Sequence, residues 1–133
     1  MKHSCTVIAE VPGTGRTQAR DFIASLLDNP KELAYYTKVT QKGFIVDLMT
    51  FEASSFAIEV VDKRFFGDSF GEMIMDLIDT GGATFKSKLG SKSVYFDTFH
   101  LFLIVPSVDI VPIGIIKRAF VITIHPSFVE VKL

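Results

Sequence analysis

Apolar and polar positions in this chain follow two periods, one helical and one of strands. Ala19, Phe22, Ile23, Leu26 and Leu27 recur at i, i+3, i+4, i+7 and i+8, the single stripe of an amphipathic helix. Thr17 stands where a cap belongs, and Asn29-Pro30 closes the segment. Phe70, Met73, Ile74, Leu77 and Ile78 repeat that spacing behind Ser69 and Glu72, which have the S-x-x-E form of a capping box, and Gly81-Gly82 supplies a stop. Between and around these helices, Ser4 to Val11, Gly43 to Phe51, Ser55 to Asp62 and a run beginning near Tyr95 read as strands. Lys31 to Tyr36 reads as a short further helix. Ala119 to His125 and Phe128 to Leu133 read as a closing hairpin.

The order is therefore β-α-β followed by β-α-β, with a hairpin appended. It predicts one α+β domain over residues 1–133: a ferredoxin-like βαββαβ antiparallel sheet with two helices on one face, extended by a C-terminal β-hairpin. The strands carry more apolar residues than that arrangement hides. Phe44-Ile45-Val46, Leu101 to Val105 and Phe120-Val121-Ile122 are apolar on both sides, whereas an antiparallel sheet backed on one face should alternate. A second layer is expected from the appended strands, another subunit or an apolar ligand. Of the 26 residues from Phe99 to Ile124, 17 are apolar. Pro106, Asp109, Pro112, Gly114, Lys117 and Arg118 interrupt them, which excludes a membrane-spanning helix. What remains is two strands around an apolar loop. Val108, Ile110, Val111, Ile113, Ile115 and Ile116 in that loop are the expected partner interface, because contiguous exposed apolar patches mark interaction sites.

Composition sharpens this. The chain has 133 residues, 48% hydrophobic, with thirteen Phe, three Tyr and no Trp, so most aromatic area lacks a polar handle and suits a core or subunit interface. A net charge of −1 gives no global field toward nucleic acid or anionic lipid. Cys5 is the lone cysteine, so no disulfide framework exists. Lacking a signal-like apolar core at its start, the chain is expected in a reducing cytoplasmic compartment.

Candidate chemistry is sparse. Gly13, Thr14, Gly15 and Arg16 follow a strand and precede a helix, a position that can offer backbone N–H groups to a phosphate. No Gly-Lys-Ser/Thr follows, and Gln18 occupies the third glycine of a dinucleotide fingerprint. Phe85, Lys86, Lys88, Lys92 and Tyr95 form the one basic-aromatic tract, in the loop 85–95. It offers an alternative reading as a single-stranded nucleic-acid site. Asp47 and Asp97, set in apolar strands, and His100 suggest a further alternative, a sheet-lined pocket for a small molecule or an enzyme. His3 and Cys5 share a strand face but form no recognisable nucleophile pair. No metal-ligand spacing is present, and no cofactor is expected. The leading expectation is a non-enzymatic protein-interaction or assembly module, a homo-oligomer joined through its apolar sheet face and loop.

Overall fold

The computed structural model describes residues 2–10, 16–26, 33–37, 40–50, 53–87, 90–125 and 129–132. Eight strands occur among them: β1 (His3–Glu10), β2 (Leu33–Tyr36), β3 (Ser55–Glu59), β4 (Gly82–Ser87), β5 (Gly90–Tyr95), β6 (Phe99–Val105), β7 (Phe120–Ile124) and β8 (Val129–Lys132). The helices are α1 (Arg16–Leu26), α2 (Gln41–Thr50), α3 (Phe70–Thr80) and the single turn α4 (Ile113–Ile116). Six strands form one sheet in the order β2-β3-β6-β1-β7-β8, while β4 and β5 pair as a separate hairpin.

The sheet is not ferredoxin-like. β2 runs parallel to β3, β3 to β6, β6 to β1 and β1 to β7; within this sheet only β8 is antiparallel, against β7. Nor do the helices share one face. Odd-numbered residues of β1 and β6 (Cys5, Val7, Leu101, Leu103) pack under α2, α3 and the β4–β5 hairpin. Even-numbered ones (Ile8, Phe102, Ile104) pack with Ala19 and Ile23 of α1. A parallel sheet covered on both faces requires strands apolar on both sides. The chain's own helices thus cover most of the apparent surplus, although Phe120 of β7 stays 41% exposed.

Three local expectations also change. Gly43 to Phe51 lies mostly in a helix: Phe44 and Leu48, one turn apart, are its buried residues, and the Thr40 hydroxyl accepts the Gly43 N–H at 3.0 Å as its cap. Tyr36 ends a strand instead of a helix. Ser69 precedes α3 with φ of 67° and makes no side-chain cap, so the S-x-x-E pattern is not a capping box here. The stop at Gly81 does hold: it adopts φ of 77° and its N–H reaches Leu77 O at 2.9 Å.

Many of the phenylalanines have a common destination. Phe44, Phe56, Phe96 and Phe99 form a chain of tilted and edge-on contacts at centroid separations of 5.3 to 6.1 Å, and Phe70 and Phe65 extend it across α3. Such pairs add roughly 0.5–1.5 kcal/mol each beyond the area they bury.

Candidate functional site

In a parallel α/β sheet, ligands bind outside the carboxyl ends of the strands, where the direction of strand addition reverses. That place is β1. The chain leaves it through α1 to β2 at the far edge and returns through β3 and β6. It then crosses to β7 on β1's other side. Residues 11–15, which join β1 to α1, lie outside the described residues, and Gly13, Thr14 and Gly15 with them. Arg16 opens α1, so the expected phosphate position sits between a central parallel strand and the N-terminus of an eleven-residue helix. No acidic residue occupies the first turn of α1, so no carboxylate there opposes an anion.

Glu10-Val11-Pro12-Gly13-Thr14-Gly15-Arg16-Thr17 matches the phosphate-loop pattern G-x-x-x-x-G-K-[ST] at two of its four defined positions. The second glycine and the threonine are present, Arg16 replaces the lysine, and Glu10 replaces the first glycine.

Two carboxylates end strands on the α1 side of the sheet. Glu10 pairs with Ile124 and Glu59 with Ile104, and both isoleucines belong to the cluster beneath α1. Among the described residues no three His, Cys, Asp or Glu side chains converge as a metal-binding group.

The other expected sites are less coherent. Within the apolar loop, Val111 and Ile115 are buried in the core around α3, and Ile110 and Ile116 pack against that core. Val108 lies at the margin of exposure and Ile113 is 69% exposed. The loop forms a 3-10 turn (Val108–Ile110) and α4 rather than an open apolar face. The loop 85–95 is largely the β4–β5 hairpin. Phe85 is buried and unable to stack on a base. Lys92 and Tyr95 on β5 are both exposed, and Lys88 is outside the described residues. An open groove of about 580 Å³ does run between α2 and β5, lined by Met49, Lys92 and Tyr95 among others.

Asp47, Asp97 and His100 do not meet. Asp47 is on α2; burial of the Tyr36 phenol and then the charge of Asp47 push that phenol up to about 12. Asp97 sits in the turn before β6 and holds exposed Lys2 at 3.7 Å. His100 is on β6, its Nδ1 2.7 Å from the Ser4 hydroxyl. Burial, with the N-terminal amine and His3 adding to it, lowers its pKa. Cys5 is fully buried and its thiol is pushed up to about 12, so it is no nucleophile. His3 instead places Nε2 3.0 Å from Phe96 O.

Among the described residues no helix is long and apolar enough to cross a membrane. No family model matches the chain, and no curated protein does. Twenty-nine chains of known structure match it. One is a point mutant of RuvB from Thermogota maritima, with a TM-score of 0.60 at 15% identity, over 92% of this chain and 38% of that one. The likeness concerns the fold, and this chain spans well under half the length of that RuvB chain.

Proposed function

We propose that the chain binds the phosphate groups of a nucleotide or polyphosphate at the loop between β1 and α1. The observation that carries this reading is positional: in the sequence, Gly13, Gly15, Arg16 and Thr17 stand between the central strand β1 of a parallel sheet and the body of α1. Backbone N–H groups and the helix dipole there favour an anion. Arg16 would offer a permanent cation suited to phosphate oxygens. Thr17 has the hydroxyl that such loops direct to a divalent cation, which would neutralise phosphate charge. Glu59, ending β3 on the same face, could hold that cation's water shell.

Glu10 departs from the pattern and sets the expected strength. It puts a carboxylate at the start of the loop, which repels phosphate and weakens binding. The test is equilibrium binding of ATP with magnesium, with tripolyphosphate and adenosine as competitors. Tripolyphosphate should displace ATP and adenosine should not. Arg16→Ala should weaken binding by roughly tenfold or more, the share of a charge-assisted contact, and Glu10→Gly should tighten it. Absence of binding at millimolar ligand by both the parent chain and Glu10→Gly refutes the proposal.

A further inference from the structure

A different part of the sheet points to a second copy of this chain. Among the described residues β8 ends the sheet, and it is antiparallel to β7, with Ile122 opposite Val131 and Ile124 opposite Val129. Val129 and Val131 therefore share the face of Ile122 and Ile124, yet are 45% and 53% exposed, and Phe120 on that face is 41% exposed. Glu130 and Lys132 alternate onto the other face, where Glu130 Oε2 lies 3.3 Å from His125 Nε2. An edge strand with an exposed apolar face is a template for another strand.

The sequence of β8 selects its partner. We propose that two copies join antiparallel through β8, with Val131 opposite Val131 on the two-fold axis. In that register Glu130 faces Lys132 of the second copy and Lys132 faces Glu130, so both cross-strand pairs are attractive. A register centred on Glu130 or on Lys132 sets like charges opposite each other. A shift by one residue moves the valines onto the charged face. The opposite edge, β2, reads Leu33-Ala34-Tyr35-Tyr36 and has no charge to fix a register. The contact is isologous and closes at two copies, giving one continuous sheet across the dimer. Four residues of strand make a small interface, so association is weak, with a dissociation constant between about 1 µM and 1 mM.

Analytical ultracentrifugation across that range tests the proposal, with circular dichroism to verify folding. The parent chain should dimerise reversibly. Glu130→Lys alone and Lys132→Glu alone should each weaken the dimer by roughly tenfold or more. An equimolar mixture of the two should recover pairing, because the all-lysine edge of one then faces the all-glutamate edge of the other. The double variant Glu130→Lys/Lys132→Glu should dimerise like the parent. A parent chain that stays monomeric to about 1 mM overturns the proposal. So do folded single variants that dimerise undiminished, or a mixture that fails to recover pairing.

Discussion

Gly81 joins α3 to the β4–β5 hairpin, and replacing it with alanine separates two costs that are usually confounded. Its φ of 77° puts a side chain in the left-handed region, worth roughly 1–2 kcal/mol. An added Cβ would also fall well inside 3.0 Å of both His3 Nε2 and the Phe96 carbonyl oxygen. That carbonyl is within hydrogen-bond distance of His3 Nε2, at 3.0 Å, and the Phe96 N–H donates to Gly81 O at 2.7 Å. The histidine can swing away, but the backbone carbonyl cannot. Relieving the clash strains or breaks both bonds, at about 1 kcal/mol each. Gly81→Ala should therefore cost about 3–4 kcal/mol, a large share of a stability of roughly 5–15 kcal/mol. Gly90 is the control. Its φ of 118° is at least as unfavourable, yet nothing lies within 4 Å of an added Cβ, so Gly90→Ala carries the backbone cost alone. Urea unfolding followed by circular dichroism measures both differences. A Gly81→Ala loss within about 1 kcal/mol of the Gly90→Ala loss would show that the close approach contributes nothing.

Other perturbations test separate parts of the structure. Ile115→Asp should unfold the chain, since it buries an unpaired carboxylate at a fully buried position, whereas Ile113→Asp, at an exposed one, should change the urea midpoint little. Equal effects would mean that the loop is not packed as described. Tyr36 should titrate near 12 by its ultraviolet absorbance, later than a phenol's usual 10. Because the folded value is raised, its stabilising contribution is complete below pH 10 and is lost as pH rises from 10 toward 12. Asp47→Asn should bring that titration earlier, and an unmoved curve would refute the contact. Cys5 should resist a thiol reagent in the native chain and react fully in urea; fast native labelling would place β1 elsewhere than at the sheet centre.

Part of this fold is legible in the sequence. α1 and α3 follow from their stripes, the C-terminal hairpin from its composition, and β1 from its bounding turn. α2 is not, because Phe44-Ile45-Val46-Asp47-Leu48 fits a short strand as well as a helix. The decisive signals, Thr40 as a cap and Phe44 and Leu48 one turn apart, are weaker than the β-branched and aromatic run. Strand direction is invisible locally, since pairing is settled by residues far along the chain. Of the three runs read as strands apolar on both sides, those in β6 and β7 belong to a sheet with helices on both faces, whereas Phe44-Ile45-Val46 lies in α2; the signature also fits a subunit interface. At the candidate site, Arg16 and Glu10 stand where the phosphate-loop pattern has lysine and glycine, so only two of its four defined positions match. Its meaning depends on β1 lying at the centre of a parallel sheet, which no local pattern states.

The central place of β1 has a consequence during synthesis. Ser4 and His100, which meet across β1 and β6, are 96 residues apart. At about 5–20 residues per second, the ribosome exposes this apolar strand for roughly 5–20 seconds before its first sheet neighbour exists, and longer before β7. Productive folding must wait for the late strands, because closing such long-range pairings precedes any reward from them. Until then β1 is a nascent segment that chaperones would shelter, and silent codon changes slowing translation before residue 99 should lower soluble yield without altering the finished protein.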